Sequence, residues 1–374
     1  MSPVTRQRGL SLVELMIGLT IGMFLTVGLV VAFSAGSRSF QVQDDFARMQ
    51  EAGVTALRYI GDSVRMAGFY GLGPHTTTIT VAAGLTMAPA ADCGSAANPP
   101  LAGWAFDVAT PIRGFDALTP ATVGATLPCI QAGNFLDTGA MPHPVLVLRH
   151  ALGMPLENNA GDITGAADYR PAGVFVQSDS RGLLLFRGDQ YAALRSAGLA
   201  RRPTNSLGVQ IDAPVFPLQT YIYYLRPCSR PATPPVCTAT DDNGRPIPTL
   251  VRQQLQDNAL VEQPLVEGVE RWAVLYGEDT SAQPDGRPDR FTATPVRWDR
   301  VVAVRVSVLI RATSAGIGHD DSGKEYDLNG DGVPDFRCTH ALGTDPLACR
   351  YRRHVFVQTF QLRNIALRGC TECS

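Results

Sequence analysis

Three groups of residues in this 374-residue chain have types and spacings that could do chemistry. Glu14 is the sole charge in the apolar run Leu10 to Ala35, LSLVELMIGLTIGMFLTVGLVVAFSA. A carboxylate deep in hydrocarbon costs on the order of 2.5–3.5 kcal/mol, less near an interface, so its chemistry is pairing with a cation supplied from outside the run. Asp327, Asn329, Asp331 and Asp335 follow the opening of a D-x-[DN]-x-[DN]-G calcium loop, with Gly332 in the glycine place. The place of the bidentate Glu that closes an EF-hand is taken by Cys338. A looser Asp-rich loop for Ca2+ and a solvated Asp/Asn/Gly turn therefore stand as the two readings. Asp279, Asp285 and Asp289 form a second, sparser acidic loop.

The third group is the cysteines: Cys93, Cys129, Cys228, Cys237, Cys338, Cys349, Cys370 and Cys373. An even number in an exported segment argues for disulfides. Sequential pairing is the simplest arrangement, because three of its loops are short, although eight cysteines allow 105 connectivities. Cys338, His340, Cys349 and His354 also spell a zinc set on paper. Cys370-Thr-Glu-Cys373 lacks the helix start that activates a thiol, which favours an ordinary tail disulfide. No G-x-S-x-G, H-E-x-x-H, P-loop or G-x-G-x-x-G is present, so no cofactor is called for beyond the calcium reading. His143, His150 and His354 adjoin expected strands, where structural or exposed roles suit them. The many acids leave a carboxylate pair meeting in space as an enzyme reading.

These groups need elements to position them. The run from Leu10 is 26 residues, long enough to cross a hydrocarbon layer ~30 Å thick as a helix. Ahead of it Arg6 and Arg8, with no acid, put the start of the chain in the cytoplasm and export the remainder. A cleavable secretory signal with a cut near Ala32-Phe33-Ser34 is one alternative, although the run exceeds the usual length, and a plain signal anchor is another. Neither accounts for Glu14. Beyond the run, Phe46, Met49, Val54, Leu57, Ile60, Val64 and Ala67 recur mostly at three or four, an amphipathic stripe. Asp44, Asp45, Arg48, Glu51, Arg58, Asp62 and Arg65 fall opposite, and Gly68, Gly71, Gly73 and Pro74 stop the helix. Leu10 to Ala67 thus reads as one helix about 87 Å long.

The rest is β-rich. Val301 to Arg311 is the clearest strand, with further ones expected at 145–149, 173–177, 183–186, 220–225, 269–276 and 354–363, and irregular decoration over 75–142 and 277–300. Gly (36) and Pro (27) are too many for a helical bundle. The net charge of −2 speaks against a nucleic-acid binder or a polybasic membrane-surface protein. With 45% hydrophobic and 18% charged residues, the chain is not of the disordered class.

Arg8-Gly9-Leu10-Ser11-Leu12-Val13-Glu14-Leu15-Met16 resembles the type IV prepilin processing site, with Leu10 where the family usually has Phe. The resemblance implies that a prepilin peptidase cuts after Gly9 and methylates the new amine of Leu10, and that Glu14 then meets the N-terminal amine of a neighbouring subunit. Val266-Glu-Gly268-Val269-Glu-Arg-Trp272-Ala-Val-Leu-Tyr276-Gly277-Glu-Asp279 resembles the Val-x-Gly-Val strand and Tyr-Gly-x-Asp turn of the type IV pilus assembly protein PilW family. Trp298 to Leu309 and Phe360-Gln-Leu362-Arg363-Asn364 are similar to the same family.

The implied fold is α+β and type IV pilin-like: a long N-terminal helix, its first half transmembrane, packed on an antiparallel β-sheet head with long loops. The expected divisions are leader 1–9, transmembrane half 10–35, amphipathic half 36–68 and periplasmic head 75–374. The implied role is a minor pilin, without enzymatic activity, that primes assembly and sits in a tip complex. Its implied partners are other minor pilins, the major pilin, a tip adhesin and the inner membrane, with no nucleic acid contacted directly. A J-type minor pseudopilin of type II secretion carries a similar strand but is much shorter. A membrane-anchored adhesin is the reading of another class.

Overall fold

A computed structural model describes residues 11–71, 78–86, 92–93, 103–136, 143–156, 162–234, 236–257, 259–316, 318–339 and 347–369. One helix, α1 (Leu12–Met66), runs for 55 residues without a proline, so no backbone N–H is missing from its ladder. It stops where Gly68 takes φ 80° and its N–H turns to the carbonyl of Arg149. Leu10, the expected first residue, lies outside the described residues.

The larger sheet has eight strands: β1 (Ile79–Val81), β2 (Ile112–Leu118), β3 (His143–Ala151), β4 (Val174–Asp179), β5 (Gly182–Arg187), β6 (Phe216–Arg226), β7 (Thr249–Gln256) and β8 (Ala259–Glu267). Its order is β1-β5-β4-β6-β3-β2. Along the edge of β6 away from β3, β4 pairs with its first residues and β7 with its last, and β8 closes the sheet beyond β7. The smaller sheet joins β9 (Val269–Glu278), β10 (Arg290–Thr292), β11 (Val301–Arg311) and β14 (Arg353–Gln361) in the order β10-β9-β11-β14. Between its last two strands, β12 (Glu325–Tyr326) and β13 (Phe336–Arg337) make a two-stranded ribbon.

The head is more mixed than expected. β1 pairs with β5 in parallel, so the larger sheet is not wholly antiparallel. The 75–142 stretch holds strands β1 and β2, and 277–300 holds β10. β7 and β8 were hidden by polar sequences, TLVRQQLQ and ALVEQPLVE. Pro264 is accommodated in β8 because that strand pairs on one side only, beside a register shift at Leu250/Val251.

Strand residues alternate between two cores, as a two-residue repeat requires. Leu146, Leu148, Tyr221, Tyr223 and Leu225 join Val304, Val306, Val308, Ile310 and the inner face of α1 in one cluster. Val145, Val147, Ile222 and Tyr224 point the other way, onto Leu118, Val123 and Phe135. The helix is therefore clasped between the smaller sheet and one face of the larger.

Candidate functional site

Among the described residues, the first half of α1 packs against no other element. Leu12, Met23, Phe24, Leu29 and Phe33 are 70–79% exposed, and every residue from 11 to 41 is exposed. By length and composition this stretch can cross a membrane. Glu14 sits in its first turn, where the free N–H groups favour a carboxylate, and the Ser11 side chain does not cap them. Among the described residues the Glu14 side chain makes no hydrogen bond or ion pair. Gly9 and Leu10, the expected cleavage and methylation residues, lie outside the described residues.

The second half of α1 is the seat of the head. Its buried face is Met49, Gly53, Ala56, Leu57, Ile60, Gly61, Ser63 and Val64. Phe46 and Val54, expected in the stripe, are 44% and 62% exposed instead. Their places go to Gly53 and Gly61, because β14 crosses the helix too closely for a side chain. A Cβ on Gly53 would lie 2.3 Å from the Phe356 ring, and one on Gly61 2.3 Å from that of Phe360. The two glycines are about 12 Å apart along the helix and the two phenylalanines about 13 Å apart along the strand, so β14 runs beside the axis of α1.

Polar bonds fix both ends of this seat. At the lower end Asp45 accepts from the Ser314 hydroxyl at 3.1 Å, with the Arg352 guanidinium 3.6 Å away. Nearer the upper end the Ser63 and Tyr223 hydroxyls meet at 2.7 Å, and Tyr223 also donates to the carbonyl of Tyr59. At the upper end the Asn364 side-chain amide donates to the carbonyls of Arg65, Met66 and Ala67 at 3.2–3.5 Å, where the helix ladder has ended, and the Met66 carbonyl also accepts the Phe69 N–H. The charges on the outer face of α1 pair among themselves, Arg48 with Asp44 and Arg65 with Asp62, in exposed positions where they contribute little.

The sequence motifs of the last third serve the same joint. Gly268 takes φ 83° in the turn from β8 to β9, where a Cβ would strike the Arg311 carbonyl at 2.6 Å. The Trp272 indole N–H reaches the carbonyl of Pro144 at 3.0 Å and ties the smaller sheet to the larger. Tyr276 packs edge-on to Trp298, 4.8 Å between centroids. Asp279 is buried and accepts the N–H groups of Ser281, Asp285 and Gly286, while Asp289 accepts from Thr280 and Ser281. Those two acids of the second acidic loop thus fold the turn.

In the first acidic loop all six carboxylate oxygens accept hydrogen bonds. Asp327 takes the N–H groups of Gly330 and Gly332, and Asp335 those of Leu328 and Asn329. Asp331 takes that of Val333, and the Asn329 amide bridges Asp331 and Asp335. Asp335 also faces Asp116 and Arg271 across a pocket of about 230 Å3. Burial, and then the charge of Asp335, push the Asp116 carboxyl up from its ordinary value. The two carboxylates share this pocket, and Asp335 is committed to hydrogen bonds within its own loop.

Cys93–Cys129, Cys228–Cys237 and Cys338–Cys349 are joined as disulfides in the sequential pattern. Cys370 and Cys373 lie outside the described residues. The zinc set on paper is undone, since Cys338 and Cys349 have no thiolate to give, His354 is exposed and stacked edge-on to Phe356, and His340 lies outside the described residues. Cys228, Cys237 and Asp241 lie within 4.8 Å of one another, but the disulfide removes two of the three donors. His150 is buried with its Nδ1 on the Ala151 carbonyl at 2.9 Å, and burial pushes its pKa down to about 4.

The sequence reading missed Gly53, Gly61 and Ser63 on the buried face, and the roles of Tyr223 and Asn364. A signal for the glycines was present: Met49, Gly53, Leu57 and Gly61 recur at every fourth residue.

Two family models match the chain: Type IV Pilus-assembly protein W over residues 237–364, and Prokaryotic N-terminal methylation motif over residues 4–30. Comparison with curated proteins and with solved structures gives no match. The first match covers the smaller sheet, β7, β8 and the Asn364 cap, and the second covers the start of the apolar helix. Together they support a PilW-like type IV pilus protein whose apolar helix is fit to anchor it in a membrane.

Proposed function

We propose that this chain is a minor pilin that primes type IV pilus assembly and stays at the growing end of the filament with other minor pilins. Before assembly it spans the inner membrane once, with its head in the periplasm. A prepilin peptidase removes residues 1–9 and methylates the amine of Leu10. The observation that carries this reading is α1 itself. Its apolar half is left bare by its own head and holds one carboxylate, while its other half is firmly seated. Transfer from lipid into a bundle of like helices changes the solvation of apolar side chains little, so Glu14 supplies a large share of the specificity. The bulky head, in two sheets, would crowd a packed shaft and is accommodated at an end. A tip-exposed adhesin and the major pilin are the further partners of this reading.

Deletion followed by counting surface pili tests it, together with mass spectrometry of the protein from its native membrane. The expected results are a loss of pili and a chain beginning at methylated Leu10. Secretion lost with pili intact would point to a pseudopilin, and adhesion lost with pilus number unchanged to an adhesin. An intact Met1, or a cut in the mid-thirties, overturns the reading.

A further inference from the structure

The segment from Leu199 to Ile211 departs from the usual behaviour of surface loops. Leu199, Leu207, Val209 and Ile211 are 58%, 83%, 55% and 52% exposed. Single exposed leucines are ordinary, but four large apolar side chains in one short segment are not. The backbone beneath them is nonetheless tied throughout. Thr204 and Gln210 form an antiparallel bridge, and the Asn205 side-chain oxygen accepts the N–H groups of Leu207 and Val209 at 3.0 and 2.9 Å. The Ile211 N–H reaches the carbonyl of Pro203 at 3.0 Å, and that of Ala213 the carbonyl of Arg201 at 2.8 Å. Its foot is buried at Ala200 and Val215, with the Arg201 N–H on the Gln177 side chain. The hairpin is held in shape without burying its apolar residues, so a partner would not have to order it.

Its surroundings are basic. Asp212 is shared by Arg195 and Arg202, and Arg181 reaches out from the Asp179 carboxylate, which pairs inside with the buried Arg201, so three accessible guanidiniums stand beside one accessible carboxylate. The hairpin leads into Phe216, the first residue of β6, on which Phe69 packs edge-on at 5.5 Å just beyond the end of α1. Its foot thus joins the part of the head just beyond the end of the helix remote from the membrane-crossing half, which favours a protein over a bilayer as its occupant. The hairpin also lies outside residues 237–364.

We propose that the Pro203–Ile211 hairpin is a docking surface for a different protein whose contact patch is apolar at its centre and acidic at its rim. The excess of arginine sets the charge of that rim. This deepens the function proposed above and rests on it for the availability of this end of the molecule.

The test places a benzophenone side chain at Leu207 of the full-length chain in its native cell, with a control at Val296, which is 79% exposed elsewhere on the head. Irradiation is expected to give an adduct with one other protein, identified by mass spectrometry, and none at Val296. Val209→Asp should lower its yield at least tenfold, and Val209→Arg by no more than about threefold, because only aspartate repels an acidic rim. A self-adduct, a lipid adduct, no adduct above the Val296 control, or equal losses for the two substitutions would overturn the proposal. Unchanged pilus number on deletion, with the Asp/Arg difference preserved, would remove the pilus reading and leave the docking surface standing.

Discussion

Glu14 lies one turn into a helix that carries no other charge before Arg38. Two unit charges ~4 Å apart attract by about 4 kcal/mol at an effective dielectric of 20, and desolvation offsets part of this. Glu14→Ala should leave insertion and leader removal unchanged, as read by protease protection and N-terminal mass, while its incorporation into pili falls sharply. Wild-type incorporation of the variant would remove the pairing role. The residues of the 327–335 loop lead to a different expectation. With every carboxylate oxygen already accepting a bond from within the loop, the turn keeps its shape unaided. Calcium titrated into the full chain in detergent micelles should give no saturable heat below about a millimolar, the range of weaker extracellular calcium sites. A saturable heat lost in Asp331→Ala would establish a cation site instead. The sequence made Glu14 legible because one charge in an apolar run needs no structure to be noticed. It left the acidic loop open because aspartates at these spacings serve a cation and a self-bonded turn equally well.

At the scale of elements, the seat of the head on α1 depends on absent side chains. Alanine in place of a helical glycine favours the helix by about 0.5–1 kcal/mol. At Gly61 that gain meets the Phe360 ring, which is 2% exposed and has nowhere to turn, and overpacking of this kind costs roughly 1–3 kcal/mol. At Gly53 the obstacle is Phe356, which is only half-buried and can swing outward. Gly61→Ala is therefore expected to lower the urea midpoint of the full chain and Gly53→Ala to leave it nearly unchanged. Equal effects would mean that β14 yields as a whole. A hydrophobic stripe found Leu57, Ile60 and Val64 but included Phe46 and Val54, because periodicity records greasy side chains and gives no weight to a gap that another element fills. β11 was legible residue for residue, whereas β7 and β8, polar along one face, were not. The Asn364 cap joins residues some 300 positions apart, which no local pattern can disclose.

For the whole molecule, the general architecture of a long helix and a β-rich head was readable, since composition and one apolar run dictate it. The split of the head into two sheets that clasp the helix was not, because it depends on which strand faces share a core. All three described disulfides close excursions within the head, over 36, 9 and 11 positions, and none reaches α1. Apart from the chain itself, the grip between spine and head is non-covalent among the described residues. In the proposed pilus role, a pull on the filament would load that grip. Because β14 lies along the helix, the load would arrive as shear shared by Asp45, both Gly–Phe contacts, Ser63 and the Asn364 cap at once, instead of peeling them singly. Optical-tweezer extension between Leu12 and Val296 should then record one abrupt rupture, whereas a staircase of small yields would mean that the head unzips from its spine.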